Sequence, residues 1–216
     1  VHTNVIGTEN LISAAIDNNV EKFVGISTDK AVNPINTMGA TKLLSEKIII
    51  DTSVSQTGIK FCCVRFGNVL DSIGSVIPIF REQIRNGGPI TITDKNMIRF
   101  FMTMPNAINL VLKAAKITKG GEIFILKMEV MKIIDLAKAM REELAAKYNH
   151  KPEDIKIKYI GVRYGEKMHE SLMTKEESAY VEDVGDMYIL RPPRVSTILK
   201  NSNARVDSKL KNVKYL

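Results

Sequence analysis

The run Ile26-Ser27-Thr28-Asp29-Lys30-Ala31-Val32-Asn33-Pro34-Ile35-Asn36-Thr37-Met38-Gly39-Ala40-Thr41-Lys42 gathers, in one short stretch, the residue types that move protons. Hydroxyls, a carboxylate and an ammonium follow directly on an apolar run. A carboxyl beside an amine fits an acid/base pair, and equally a turn-capping aspartate beside a solvent-facing lysine. A second lysine, Lys42, comes one helical turn after Met38, so the two share a helix face. The pattern reads as the end of a buried strand, a polar turn and the start of a helix. In open α/β sheets ligands bind at the carboxyl ends of strands, which is where this turn falls.

The elements that must position the turn follow from hydrophobic periodicity. Asn4 to Asn18 is predicted helical, with Val5, Leu11, Ile12, Ala15 and Ile16 on one face. Lys22 to Ser27 is a short, nearly all-apolar strand, as expected for a parallel sheet covered on both faces. Ala40 to Ser53 is the next helix, Gly58 breaks it, and Lys60 to Val69 is the next strand. This alternation implies crossover connections and a parallel sheet. Past Gly74 the spacing predicts a helix at Val76 to Asn86, with Pro78 in its first turn, and a strand at Ile90 to Thr93. A helix at Pro105 to Lys116, a strand at Glu122 to Lys127 and a long helix at Lys132 to Lys147 come next. Lys156 to Ile160 reads as a strand and Met168 to Met173 as the start of another helix. The signal weakens from Glu182, and 201–216 reads as a loosely ordered tail.

Composition narrows the class. The 216 residues are 44% apolar and 25% charged, as in an ordinary globular protein with one good core. No apolar run approaches the roughly 18 residues of a membrane span, so no membrane contact is expected within these residues. The net charge of +7 comes from scattered lysines with little aromatic content beside them, which argues for solvated surface charge or a phosphate-bearing small substrate and against nucleic acid. Cys62 and Cys63 are adjacent in an apolar strand, point to opposite faces, and read as core residues of a reducing compartment, the cytoplasm. No Cys/His spacing suggests a metal site. The chain opens on Val1 and inside a helical pattern, so it reads as lacking an upstream part.

Several motifs, in order along 4–173, carry a family resemblance. They are Asn4-Val5-Ile6-Gly7-Thr8, Ser27-Thr28-Asp29-Lys30, Pro34-Ile35-Asn36, Gly39-Ala40-Thr41-Lys42, Arg65-Phe66-Gly67-Asn68-Val69, Arg99-Phe100-Phe101-Met102-Thr103 and Gly165-Glu166-Lys167. The chain resembles the extended short-chain dehydrogenases/reductases. Within them it resembles the polysaccharide-biosynthesis group of nucleotide-sugar 4,6-dehydratases, whose type is the inverting UDP-N-acetylglucosamine 4,6-dehydratase. The resemblance implies an α/β fold: a Rossmann-like doubly wound parallel sheet, its N-terminal half missing, with a smaller C-terminal α/β substrate-binding lobe. Residues 1–75 then hold the catalytic turn and helix, 76–200 are mainly the substrate lobe with segments returning to the main domain, and 201–216 are tail. No glycine-rich turn between a first strand and helix is present to seat a pyrophosphate, and because the family's missing central strands would leave exposed edges and apolar faces, these residues alone are expected to fold poorly.

The resemblance also implies roles. Asp29 is the acid for the departing carbon 6 hydroxyl and Lys30 the base at carbon 5, with Thr28 bonded to the sugar and Ser27 supporting the turn. Lys42 holds the nicotinamide ribose of NADP, or of NAD, and Asn4 braces Lys42. Met38 stands at the superfamily's catalytic tyrosine, where a thioether cannot exchange protons. Thr28, a bound water and Lys42 remain the candidates to relay the carbon 4 proton. Asn68, Arg99, Arg163 and Glu166 contact a UDP-sugar, with arginine suited to phosphate. His169 reads as packing. Tyr164 replaces the family's usual proline, Asp71 a frequent glycine and Ile73 a frequent arginine. A homo-oligomer is implied. The alternatives are a UDP-sugar 4-epimerase, which needs no acid/base pair at carbons 5 and 6, and a truncated non-catalytic relative.

Overall fold

The computed structural model describes residues 1–56 and 58–193. A π-helical turn at His2–Ile6 leads into α1 (Gly7–Asp17), β1 (Lys22–Thr28), α2 (Thr37–Ser55), β2 (Lys60–Phe66) and β3 (Asn68–Val69). Then follow α3 (Val76–Arg85), β4 (Ile90–Ile92), β5 (Ile98–Met102), α4 (Met104–Ile117), β6 (Ile123–Leu126), β7 (Glu129–Lys132) and α5 (Ile133–Leu144). β8 (Ile157–Tyr159), β9 (Val181–Asp183) and β10 (Met187–Leu190) complete the order. No helix among the described residues is long and apolar enough to cross a membrane.

The chain forms two units. The first comprises 1–66, 105–127 and the described residues from 171 on; the second comprises 67–104 and 128–170. The first unit holds a five-stranded sheet of order β1-β2-β6-β10-β9. Its first three strands are parallel and its last two run antiparallel to their neighbours. Leu110 and Ala114 of α4 pack on one face with Cys62, Val64, Phe124 and Met187. On the other face α2 approaches so closely that a Cβ at Gly25 would overlap Ile49 Cδ1. The sheet is therefore covered on both sides, which is why its central strands are largely apolar. Cys62 and Cys63 are free and fully buried. Burial pushes Cys62 up to about 11 and Cys63 well above the ordinary thiol range.

The second unit has a three-stranded sheet, β3-β5-β7, and a parallel pair, β4-β8. Its core gathers Phe80 and Ile84 of α3, Ile90 and Ile92 of β4, and Ile133 and Ala137 of α5.

Several expectations are corrected. The strand predicted over Lys60 to Val69 is two strands broken at Gly67, where a Cβ would meet the Phe100 backbone. The helix predicted to Lys147 ends at Leu144, followed by a short 3-10 turn. The antiparallel strands β9 and β10 close a sheet expected to be parallel, and β5 and β7 were not anticipated. No helix begins at Met168: the Met168 carbonyl accepts from Ile98 N and Arg99, and the Leu172 carbonyl from Arg65, so neither serves a helical ladder. The helical turn comes later, at Glu177–Tyr180. Thr174 and Glu177 exchange side-chain and backbone hydrogen bonds there, as in a capping box. The predicted tail lies outside the described residues.

One charged side chain lies at the centre of the first unit. Arg65 is fully buried within β2. Its Nε and Nη2 donate to Glu46 at 3.0 and 2.7 Å, Nη1 and Nη2 to Glu177 at 3.0 and 3.1 Å, and Nη1 to Leu172 O at 2.9 Å. Burial alone would lower its pKa, but the two carboxylates outweigh it and hold the charge. Burial alone would raise the Glu177 carboxyl; Arg65 outweighs that and holds it below the usual range. Replacing Arg65 with Met is expected to destabilise the chain by about 3–5 kcal/mol in urea unfolding, because it strands buried carboxylates. A depressed carboxyl stabilises above its unfolded pKa, about 4.3, and that contribution is lost as pH falls through the folded value. The acid limb of stability is therefore expected to be shallower in Glu177→Gln; an unchanged limb would remove Glu177 as its source.

Candidate active site

At the C-terminal end of β1 the chain enters a single 3-10 turn, Asp29–Ala31, capped by Thr28, whose Oγ1 accepts from Lys30 N at 3.4 Å. Asp29 is fully buried. Its Oδ1 accepts from Thr28 Oγ1 at 2.8 Å and from Lys30 Nζ at 3.0 Å. Its Oδ2 and the Ser27 Oγ are buried without a hydrogen-bond partner. Unpaired buried oxygens are costly, and here two stand at the strand edge where α/β sheets receive ligands. Lys30 keeps 27% of its side chain exposed, so its amine reaches both the buried carboxyl and the surface.

α2 is fixed against this turn by its N-terminus. Asn36 Oδ1 caps it by accepting from Gly39 N at 2.8 Å. Gly39 is buried against the turn, and a Cβ there would overlap the Lys30 carbonyl oxygen. One helical turn on from Met38, which is 45% exposed, Lys42 Nζ donates to Ile26 O at 2.9 Å. This holds Lys42 at the C-terminal end of β1, on the carbonyl of the residue before Ser27. Asn4 does not bond Lys42 directly. Its Nδ2 donates to Thr41 Oγ1 at 3.0 Å, and Thr8 and Ser45 hydroxyls pair at 2.8 Å one turn along both helices.

In the second unit a cavity of about 250 Å³ is lined by Asn68, Ser75, Arg99 and Glu166 over an apolar floor that includes Phe80 and Phe101. Its volume approaches the low end of small-molecule sites, roughly 300 Å³. Asn68 Nδ2 donates to Phe100 O at 3.0 Å. Arg99 was expected to grip phosphate, but its guanidinium is engaged within the fold. Nη1 donates to Ile98 O and Met168 O at 2.8 and 3.1 Å, Nη2 donates to Lys167 O at 2.8 Å, and Glu166 lies at 3.5 Å. Arg99 thereby fixes the segment that carries Arg163 and Glu166. Arg163 is itself exposed, with its backbone N–H donating to Glu166 Oε2 at 3.4 Å.

The model of a family described as "Polysaccharide biosynthesis protein" matches residues 1–192. The chain belongs to this family. It is thus an extended short-chain dehydrogenase/reductase of the polysaccharide-biosynthesis group. It is 51% identical over 218 residues to an uncharacterized membrane protein of Methanocaldococcus jannaschii, covering 100% of this chain and 65% of that protein. It is 45% identical over 192 residues to a UDP-glucose 4-epimerase of Rickettsia canadensis, covering 87% and 54%. Among solved structures, Pen from Bacillus thuringiensis is similar with a TM-score of 0.83 and 46% identity, covering 88% of this chain and 59% of that one. The chain thus spans under two thirds of the length of these relatives.

Two features of this polysaccharide-biosynthesis chain escaped the sequence reading. Ser75 caps α3, yet its Oγ makes no capping bond and is buried without a partner on the cavity wall; a serine before a helix after Gly74 was the available signal. The Arg65–Glu46 pair was signalled by a charge inside an apolar strand. The Gly39 contact yields a test of how tightly turn and helix are coupled. Gly39→Ala removes no polar group, yet is expected to destabilise by about 1–3 kcal/mol through overpacking and to lower turnover. Thermal unfolding with wild-type stability would show that the turn gives way freely.

Proposed function

We propose that this chain carries the acid/base turn and the sugar-nucleotide pocket of a nucleotide-sugar 4,6-dehydratase. The substrate is UDP-N-acetylglucosamine, inverted at carbon 5, and the product serves surface polysaccharide or glycan synthesis. The observation that carries the reading is Asp29: a fully buried carboxyl with one oxygen held by Thr28 and Lys30 and the other without a partner. An epimerase has no use for such a pair, because moving a hydride and turning a ketone requires neither an acid at carbon 6 nor a base at carbon 5.

In the proposed reaction, Lys42 and Ser27 would hold NADP, or NAD, which when bound would supply the transfer of hydride from carbon 4 to carbon 6. The chain's own groups do the rest. With the proton resting on Asp29, Lys30 Nζ takes the carbon 5 proton while Asp29 protonates the leaving carbon 6 hydroxyl, and water departs. Lys30 is then the cation and Asp29 the anion. Lys30, partly exposed and exchanging with solvent, returns a proton to carbon 5 as the hydride reaches carbon 6, and the proton lost by the carbon 4 hydroxyl on oxidation restores Asp29 through Thr28, whose Oγ1 donates to Asp29 Oδ1 at 2.8 Å. Asn68, Arg163 and Glu166 are assigned to the nucleotide, Arg163 to phosphate and Glu166 to ribose hydroxyls.

Mass spectrometry of UDP-N-acetylglucosamine incubated with the full chain and NADP in deuterated water tests the reading. Loss of one water with deuterium at carbon 5 is expected. Lys30→Ala should abolish deuterium uptake, whereas Asp29→Asn should retain it and slow water loss by about 10²–10⁴-fold. Unchanged mass with an altered sugar epimer would decide for the 4-epimerase.

A further inference from the structure

Among the described residues, two large apolar side chains are fully exposed: Tyr164 at 106% and Ile73 at 104%, against 71% for the next, Val1. Isolated exposed apolar groups are ordinary, but each of these two lies within two residues, along the chain, of residues that line one cavity. Ile73 directly precedes Gly74 and Ser75, and Tyr164 comes two residues before Glu166; all three of those residues line the cavity of the second unit. The most exposed apolar groups of the molecule thus flank the lining of a single cavity.

Tyr164 is also held on a built support. Arg163 to Glu166 is a type II turn: Glu166 N–H donates to Arg163 O at 3.1 Å, and Gly165 takes the positive φ, 76°, that this turn demands at its third residue. Tyr164 occupies the second position, where proline is favoured, so the tip of the turn carries a ring that the backbone does not need. Arg99 fixes the residues just downstream through Lys167 O and Met168 O. An aromatic on a fixed backbone has little freedom to lose when it meets a flat partner.

We infer that Tyr164 is a specificity residue that stacks on the nucleobase of the sugar nucleotide. The inference rests on the nucleotide-sugar reading and adds to it the part of the ligand that the turn reads. A ring recognises the π-face of a base and is indifferent to the sugar, so its contribution is to uridine rather than to diphosphate.

The chain contains no tryptophan, so Tyr164→Trp gives a single emitter at the tip of the turn. UDP is expected to quench its emission and inorganic pyrophosphate to leave it unchanged. By calorimetry on the full chain, Tyr164→Ala should bind UDP about tenfold more weakly than wild type, with pyrophosphate unaffected and Tyr164→Phe restored. Tyr164→Pro suits the turn and should lose as much as Ala. UDP affinity within about twofold of wild type in the Ala variant, equal loss for pyrophosphate, wild-type binding by the Pro variant, or an unresponsive tryptophan would each overturn the inference. Failure of the wild-type chain to bind UDP at all would instead bring down the nucleotide-sugar reading on which it rests.

Discussion

The first unit is organised by the burial of one guanidinium. Arg65 lies in the middle of an apolar sheet, and a charge there is tolerable only with its partners in place. Those partners come from distant parts of the sequence: Glu46 from α2, and Leu172 and Glu177 from the segment before β9. Two carboxylates on one arginine leave a net negative charge, which the fold spreads by letting Glu177 also accept from Thr174 N. Glu46 stands one helical turn after Lys42, so the same ion pair holds the helix that presents Lys42 at the strand edge. The polar seam of Asn4 with Thr41 and Thr8 with Ser45 fixes that helix from its other neighbour, α1.

The candidate site divides by how its residues are used. At the turn after β1, buried oxygens remain unpaired, and the surrounding backbone is fitted so tightly that Gly39 admits no side chain. In the second unit, Arg99 spends its Nη1 and Nη2 on carbonyl oxygens, and it lines the cavity together with Asn68, Ser75 and Glu166. A residue type suited to phosphate is therefore working as a brace, and the shape of the neighbouring turn depends on it.

What the sequence disclosed follows the range of the forces involved. Helices were legible where burial imprints a period on consecutive residues, as in α5, and strands where an apolar run is nearly unbroken, as in β1. The turn Ser27 to Lys30 was legible because its chemistry is local, and there the structure adds the distances. Partnerships across long separations were not: Arg65 meets Glu177 across 112 residues, and Arg99 meets Lys167 across 68. The false helix at Met168 to Met173 arose because Met168, Leu172 and Met173 imitate helical spacing, while the carbonyls that rule it out are captured by arginines elsewhere in the chain. The short antiparallel strands β9 and β10 were lost because four residues or fewer carry too little pattern. The Thr174 to Glu177 capping box, by contrast, was written in the sequence and went unread.

The sheet of the first unit is interrupted twice along the chain, since 67–104 and 128–170 fold into the second unit between strands that belong to the first. Cys63 pairs with Ile123, and Leu126 with Met187, across these excursions. Closing such loops penalises folding through chain entropy, but the penalty grows only logarithmically, by about 0.6 kcal/mol for each doubling of length. The sheet is therefore almost blind to how long the excursions are. Lengthening or remodelling them leaves the thermodynamics of the sheet nearly unchanged, so this architecture lets the cavity of the second unit drift in evolution while the turn after β1 is held constant.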